Sequence, residues 1–323
     1  MGINYKILWV DDRMETFNEL EMPKDIINYL NELGFSGEIQ CLENIDDAEK
    51  LSKDIKFDLI LSDYNIGDGY SKNGDTLIKK IRDGAVFTEV LFYSAQTDIE
   101  EIAKKLFQDR VSFYTILPED RGYQGFLKKI KHLIEQTIQK LQEIESVRGL
   151  VMSETSRLDA IVMEILEAYF ESGNEKCEIL KQDIIKNIGK SFGKNYIKDD
   201  GCNLKNCRLK ISELTGSEIT KERIFDADKK AMALEKMLKL EKHNPIVFKH
   251  TTYLLEVIKV RNDLAHAKAL TKDGKEFLVL AEKDGEKEFR FDQSRAVGIR
   301  KDLLKYDKIL SQLKDQYVIP KKI

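Results

Sequence analysis

Short apolar runs alternate with amphipathic stretches along the first part of the chain. Several runs are apolar almost throughout, as in parallel strands that are covered on both faces. The predicted strands are YKILWV (5–10), EIQCLEN (38–44), FDLILS (57–62), VLFYS (90–94) and VSFYTIL (111–117). Apolar residues three and four positions apart predict helices between them, over 15–33, 45–54, 73–83 and 97–107. The alternation predicts an α/β doubly wound, five-stranded parallel sheet with its functional crevice at the carboxyl ends of the strands.

The apolar pattern becomes helical from Gly125 onwards. An apolar stripe from Phe126 to Val147 is longer than a helix needs to be to cover such a sheet, and it predicts a connector helix over 126–150. This stripe either packs within the chain or pairs with a second copy of it. The predicted division is therefore an α/β domain over 1–125, the connector over 126–150, and a helical domain over 151–323.

The last region predicts an all-α helical bundle with a small β-hairpin insertion. The hairpin is EFLVLAEKDGEKEFRF (276–291), which turns at Asp284-Gly285. Asn244-Pro245 is read as the N-cap and first residue of the helix that follows it. The predicted helices cover 158–170, 175–190, 222–241, 246–267 and the final apolar stripe from Ile299 to Leu313.

Composition and charge narrow the functional classes. The 323 residues include 53 basic and 57 acidic ones, a formal charge of −4, so no global field recruits nucleic acid or a membrane surface. The apolar runs are too short for a membrane span, and we expect a cytoplasmic protein without a signal peptide. No compact helix-turn-helix with a basic recognition helix stands out, so DNA is not an expected partner.

Three carboxylates follow strands that are neighbours in a doubly wound sheet. Asp11 and Asp12 follow the first predicted strand, and Asp63 follows the third. Such strands end at the same edge, so we expect these like charges to converge in one crevice. Carboxylates in that position repel one another unless a hard divalent cation lies among them, which indicates Mg²⁺.

The motifs ILWVDD, DLILSDYNIGDG and FYSA extend this interpretation. Over roughly residues 5–135 the chain resembles the receiver domain of two-component response regulators. That resemblance implies that Asp63 is the phosphoacceptor, that a histidine kinase is a partner, and that Asn65 offers its backbone carbonyl to the metal. The implied metal site then comprises Asp11, Asp12, Asp63 and Asn65, and the implied switch residues are Ser94 and Tyr114.

The chain departs from the receiver pattern in two places. Leu117 stands before Pro118 where receivers usually carry the lysine that binds the phosphoryl oxygens, and the loop between Asp63 and Gly74 is longer than usual. Phosphorylation of Asp63 then needs another cation, and the sequence offers Lys72, Lys104 or Arg121. The alternative is a pseudo-receiver that only dimerises or binds a partner.

The second candidate site is the stretch RNDLAH, residues 261–266, on a strong helix late in the bundle. It resembles the R-x4-H motif of the HEPN superfamily (higher eukaryotes and prokaryotes nucleotide-binding), in which such a motif forms a ribonuclease site. The resemblance implies that Arg261, Asn262 and His266 are catalytic and that RNA is the substrate. His266 can move a proton near neutral pH and Arg261 can hold phosphate, with no cofactor needed in this domain.

Two functional readings follow from these sites. The first is a homodimeric, metal-independent RNA endonuclease that its receiver-like domain controls, in stress response or phage defence. The second is a non-enzymatic signalling adaptor whose helical domain binds a protein or a nucleotide. Under the second reading, Arg261 forms a salt bridge with Asp263 or Glu256, and His266 caps or packs at the helix end.

Overall fold

The computed structural model describes ten segments of the chain, and helices and strands are numbered through them. These segments are residues 3–66, 88–95, 111–116, 123–139, 143–195, 214–221, 225–241, 244–273, 275–282 and 285–318. The chain divides into two compact units, Met1–Val147 and Arg148–Ile323.

The N-terminal unit contains a five-stranded, all-parallel sheet with the strand order β2-β1-β3-β4-β5. This order is that of a flavodoxin-like doubly wound sheet, so the predicted fold class is confirmed. The elements are β1 (Asn4–Val10), α1 (Met14–Glu19), α2 (Met22–Glu32), β2 (Ser36–Leu42), α3 (Ile45–Asp54), β3 (Leu59–Asp63), β4 (Glu89–Ser94), β5 (Val111–Thr115) and α4 (Tyr123–Gln139).

Two apolar cores cover the two faces of this sheet. Alternate residues of β1 point to opposite faces, so Trp9 packs with α1, α2 and α4 while Leu8 packs with α3. Each fully buried leucine or isoleucine in these cores stabilises the unit by about 1.5–3 kcal/mol. Both faces are therefore unavailable to a polar ligand, which leaves the strand ends as the place for a site.

The predicted helix over 15–33 is two helices in the structure. The chain turns between α1 and α2 at Glu21, whose φ of 53° lies in the left-handed region, and Pro23 follows in the first turn of α2. The periodicity alone did not reveal this break because apolar residues continue at helical spacing across it. The predicted helices over 73–83 and 97–107 lie outside the described residues.

The C-terminal unit is mostly helical with a small antiparallel sheet, as predicted. A π turn over Leu254–Ile258 joins α9 to α10 without interrupting the helical path. The elements are α5 (Ile144–Glu171, which begins before the unit boundary), α6 (Lys176–Asn195), α7 (Gly216–Lys221), α8 (Ala227–Leu240), α9 (His250–Tyr253), α10 (Lys259–His266), β6 (Lys268–Lys272), β7 (Lys275–Glu282), β8 (Gly285–Phe291) and α11 (Gln293–Tyr317).

One local prediction in this unit was wrong, and one strand was missed beside the hairpin, which is present as predicted. The Asn244 side chain accepts a hydrogen bond from the Ile246 amide and forms a turn, so the helix begins only at His250. The predicted hairpin of β7 and β8 has a third strand, because β6 pairs with β7 in antiparallel register. Strand β6 is exposed along its whole length, and its sequence KALTK therefore carries no burial pattern that predicts a strand.

The predicted connector range is described as two helices. Helix α4 ends at Gln139 and α5 begins at Ile144, with residues 140–142 outside the described part. The apolar stripe from Phe126 to Ile138 belongs to the core of the sheet. A continuous connector over 126–150 stays a prediction. Within the described segments, no helix combines the length and the apolar character that a membrane span requires.

Candidate functional site

The carboxyl ends of β1 and β3 bring the predicted acidic residues together. Strands β1 and β3 are neighbours in the sheet, Asp11 directly follows β1, and Asp63 is the last residue of β3. Carboxylate oxygens of Asp11, Asp12 and Asp63 all lie within 4.8 Å of one another. Asp11 and Asp63 are 2% and 4% exposed, whereas Asp12 faces solvent. Two of these three charges are thus removed from water.

A cavity of about 120 Å³ opens beside these carboxylates. A water molecule in bulk takes up about 30 Å³, so the volume suits a partly hydrated ion or a small anionic group. We call this cavity, together with the three carboxylates, the acidic cavity. The residues that line it are Asp11, Arg13, Thr16, Phe17, Asp63, Tyr93, Ala95, Ile116 and Tyr123.

Burial makes the ionised form of Asp63 costly. Desolvation, with further contributions from the charges of Asp11 and Asp12, raises the pKa of Asp63 to about 6. Desolvation likewise raises the pKa of Asp11 above its usual range, although Tyr93 and the Arg13 amide oppose that rise by donating hydrogen bonds. A positive group in the cavity would relieve this cost.

The donor set fits Mg²⁺. All three side chains offer hard oxygen ligands, the charge they carry together is negative, and two of them are held in place by burial at strand ends. The Asn65 amide donates to Asp63 Oδ1 at 3.3 Å, which places Asn65 beside the same carboxylate. Asp11, Asp12, Asp63 and Asn65 as metal ligands stay a prediction.

A chain of hydrogen bonds leads from the acidic cavity into the core, and the sequence did not identify it. Trp9 Nε1 donates to Tyr93 Oη at 2.7 Å, and Tyr93 Oη donates to Asp11 Oδ2. The second oxygen of Asp11 accepts from the Arg13 amide at 2.7 Å. Both oxygens of Asp11 are therefore fixed. Alternation along a strand predicts the face of the sheet on which Trp9 or Tyr93 lies, but it does not show which polar atoms of the two residues meet.

Arg13 is the second residue that the sequence did not identify. Its Nη2 lies 3.8 Å from Asp63 Oδ2, and its Nε lies 3.7 Å from Asp12 Oδ1. The side chain is 75% exposed. Its place directly after Asp11-Asp12 was the available signal, because a residue there must lie at the mouth of the same crevice.

The predicted switch residues lie on β4 and β5. Ser94 is buried at the end of β4, and its Oγ accepts from Asn65 Nδ2 at 3.3 Å. Tyr114 packs its ring against Phe126, with 5.6 Å between the ring centroids, and its hydroxyl occupies the space that a Cβ at Gly125 would need. Their roles as switch residues stay predictions. Leu117 and the candidate cations Lys72, Lys104 and Arg121 lie outside the described residues.

The second predicted site, residues 261–266, lies on α10 directly after the π turn. We call it the polar turn. Arg261 is half-buried, while Asn262 and His266 are exposed. Arg261 donates to Asn262 Oδ1 through Nε at 3.1 Å and through Nη2 at 2.8 Å. His266 lies roughly 140° around the helix axis from Arg261, so one copy of the helix does not turn both side chains to the same point.

The salt bridges proposed as an alternative for Arg261 do not form. Glu256 instead accepts from Lys305 Nζ at 2.5 Å and from Tyr306 Oη at 2.8 Å. Among the described residues, Arg261 has no ion pair with Asp263. Within the described segments, the hydrogen bonds of the Arg261 guanidinium go to its chain neighbour Asn262.

Comparisons with known proteins give likeness to solved structures alone. No protein-family model matches the chain, and no curated protein matches it. The signal receiver domain of an HD domain-containing protein from Pseudomonas fluorescens Pf-5 is similar at 15% identity and a TM-score of 0.34, covering 44% of this chain and 96% of that chain.

Two further solved structures are similar over the same share of the chain. A two-component response regulator from Clostridium difficile has 20% identity and a TM-score of 0.31, covering 41% of this chain and 96% of that chain. The receiver domain of a sensor histidine kinase from Pseudomonas aeruginosa PAO1, with a magnesium ion coordinated in its active site cleft, has 16% identity and a TM-score of 0.27, covering 41% and 99%. Likeness at this level assigns no function to the chain.

Proposed function

We propose that the N-terminal unit is a Mg²⁺-dependent receiver that accepts a phosphoryl group on Asp63 and thereby controls the C-terminal unit. The observation that carries this proposal is the convergence of Asp63 with Asp11 and Asp12 at the edge of a cavity large enough for a phosphoryl group. Burying like charges in this way costs free energy unless a cation offsets it. Residues that served only to stabilise the fold would not be expected to bury like charges together.

In the proposed reaction, the phosphoryl group comes from a phosphohistidine of a histidine kinase. A carboxylate oxygen of Asp63 attacks the phosphorus of a phosphohistidine, and the new O–P bond forms as the P–N bond breaks. The imidazole leaves with the bonding electron pair and takes up a proton. Mg²⁺, when bound by Asp11, Asp12 and the Asn65 carbonyl, supplies positive charge to the developing phosphoryl oxygens. Hydrogen bonds from Tyr93 and the Arg13 amide keep the Asp11 carboxylate oriented toward that place.

The proposed readout begins at Ser94. Its hydroxyl lies at the end of β4, next to Asn65 and one residue after Tyr93, the register partner of Asp63, so a phosphoryl group on Asp63 offers it a charged acceptor. A rotation of Ser94 would free space that Tyr114 fills from β5. In this proposal the change reaches the C-terminal unit or a second copy of the chain, and the protein acts as a homodimer.

The test is phosphorylation with acetyl phosphate and Mg²⁺, read as the mass of one added phosphoryl group. Wild type should accept the group, and Asp63→Asn should not. Asp58→Asn is the matched control, because Asp58 is also a partly buried carboxylate of this unit but accepts from the Lys6 amide instead of lining the acidic cavity. Wild type that stays unmodified, and that also fails to bind beryllofluoride with Mg²⁺, would leave a pseudo-receiver.

A second candidate function is metal-independent RNA cleavage at the polar turn. The supporting observation is that Arg261, Asn262 and His266 line one surface segment of α10 directly after a π turn, a feature frequent at functional sites. Since Arg261 and His266 point apart on one helix, two copies of the turn that face each other in a homodimer would complete the set. The adaptor, in which this surface only binds a protein or a nucleotide, is the alternative.

The proposed cleavage is a transesterification. His266 of one copy takes the proton of the ribose 2′-hydroxyl, the 2′ oxygen attacks the phosphorus, and the P–O5′ bond breaks as the 5′ oxygen takes a proton from the protonated His266 of the other copy. Arg261 holds the charge on the phosphorane oxygens. The products are a 2′,3′-cyclic phosphate and a 5′-hydroxyl.

The test is cleavage of a mixed RNA pool in EDTA with analysis of the ends. Arg261→Ala and His266→Ala should each lower the rate by at least about 100-fold if the groups act as proposed. His132→Ala is the matched control, because His132 is an exposed histidine on α4 in the other unit. If none of the proteins cleaves RNA, with or without beryllofluoride and Mg²⁺, the adaptor is favoured.

A further inference from the structure

Arg13 supplies the positive charge of the acidic cavity. Of the described residues that line the cavity, it is the single one with a cationic side chain. Its amide is fixed by the bond to Asp11 Oδ1, while its guanidinium lies 3.8 Å from Asp63 Oδ2 and 3.7 Å from Asp12 Oδ1. The backbone of Arg13 is thus held in place and its side chain reaches across the mouth of the cavity.

The guanidinium of Arg13 does not form short hydrogen bonds with the carboxylates of Asp12 and Asp63. Distances of 3.7 Å and 3.8 Å are longer than the roughly 2.7–2.9 Å of a charge-assisted hydrogen bond. Within the described residues, the side chain of Arg13 makes ion pairs and no hydrogen bond, and it is 75% exposed. Its planar set of donors is available to an acceptor that projects further into the cavity than the carboxylates do.

We propose that Arg13 binds the oxygens of a phosphoryl group carried by Asp63. This inference rests on the proposed function of the acidic cavity. A phosphoryl group on Asp63 adds three acceptor oxygens next to the carboxylate that the guanidinium already faces. The planar guanidinium can donate two parallel hydrogen bonds to such oxygens. Arg13 then supplies, directly after Asp11-Asp12, the phosphoryl-binding cation that the sequence lacks at Leu117.

This role separates metal binding from phosphoryl binding. Mg²⁺ and Arg13 are attracted by the same carboxylates, so removal of the guanidinium should leave Mg²⁺ affinity unchanged or increased. The same change should weaken a phosphoryl mimic, which loses its charged donor. A residue that only maintained the structure of the cavity would lower both affinities together.

The experiment titrates the full chain with Mg²⁺ alone and then with beryllofluoride in saturating Mg²⁺. Trp9 is the one tryptophan of the chain, and its indole is joined to Asp11 through Tyr93, so its fluorescence reports on the cavity. Calorimetry gives a second readout that does not depend on Trp9. The variants are Arg13→Ala and Arg13→Lys, with Lys24→Ala as the control that removes an exposed, ion-paired cation elsewhere in the unit.

We expect Arg13→Ala to weaken beryllofluoride binding about tenfold or more, the effect of one lost charged hydrogen bond, while Mg²⁺ binding does not weaken. The beryllofluoride affinity of Arg13→Lys should lie between the affinities of wild type and Arg13→Ala. Lys24→Ala should bind beryllofluoride and Mg²⁺ as wild type does. Equal beryllofluoride binding by wild type and Arg13→Ala would overturn the role of Arg13 alone. An equal loss for Mg²⁺ and beryllofluoride would also overturn it. Wild type that binds no beryllofluoride would overturn the proposed function, and the role of Arg13 with it.

Discussion

The acidic cavity and the polar turn differ in what surrounds their charged groups. In the cavity, Asp11 and Asp63 are almost completely buried, and every oxygen of Asp11 has a hydrogen-bond donor. In the polar turn, His266 is exposed, and the hydrogen bonds of the Arg261 side chain to described residues go to the neighbouring Asn262 alone. Like charges that are buried together carry a free-energy cost that calls for a ligand, whereas exposed polar groups cost nothing and are compatible with several functions. The structure therefore argues more strongly for a site in the cavity.

The largest expected effect on stability belongs to Asp63→Asn. Asparagine keeps the acceptor for the Asn65 amide and removes the buried charge, so the metal-free variant should be more stable than wild type at pH 7.5. A pKa raised from 3.8 to about 6 corresponds to about 3 kcal/mol as an upper bound. Urea unfolding in EDTA measures the difference.

The pH dependence of that difference is the sharper part of the prediction. The folded state holds the Asp63 proton more tightly than the unfolded state, so wild type loses stability as the pH rises from about 4 to about 6 and the loss is constant above that range. The advantage of the variant should be small at pH 4 and complete above pH 7. Saturating Mg²⁺ should remove it by stabilising wild type. An advantage that does not vary with pH would show that desolvation of Asp63 is not its cause.

A smaller effect is expected for Tyr93→Phe. This variant leaves the buried Trp9 Nε1 without its acceptor and Asp11 Oδ2 without its donor. Leaving a buried group unsatisfied costs about 1–3 kcal/mol, and we expect a total loss near the lower end of that range because Asp11 lines a cavity that water can enter. Tyr29→Phe is the control, because it removes a hydroxyl–carboxylate bond to Glu135 that is exposed. If Tyr93→Phe and Tyr29→Phe unfold at the same urea concentration, the hydrogen bonds from Trp9 through Tyr93 to Asp11 do not stabilise the unit as proposed.

The smallest effect is expected in the polar turn. Asn262→Ala and His266→Ala change exposed side chains and should alter the free energy of unfolding by no more than about 0.5 kcal/mol. Thermal unfolding of the two variants checks this. A loss of several kcal/mol would mean that the turn is part of the framework, and the comparison with the cavity would no longer hold. Unchanged stability also makes any loss of RNA cleavage in His266→Ala a loss of chemistry.

The sequence predicted the N-terminal sheet well because its three central strands, β1, β3 and β4, are largely buried and apolar almost throughout. All five predicted strands are present, with ends shifted by a few residues, and Asp11 and Asp63 lie at neighbouring strand ends as expected. The prediction was weaker where burial leaves no pattern. Strand β6 is wholly exposed, and Asn244 forms a turn that resembles a helix start in its sequence alone.

The sequence by itself determined that the three carboxylates meet, because strand alternation and the order of elements fix which strand ends are neighbours. Only the tertiary structure decided that Tyr93 bridges Trp9 and Asp11, and that Arg13 faces Asp63 across the cavity. These contacts join residues from different elements, and their distances depend on how helices and strands pack. A one-dimensional pattern gives the face on which a side chain lies, and packing decides which atom it meets there.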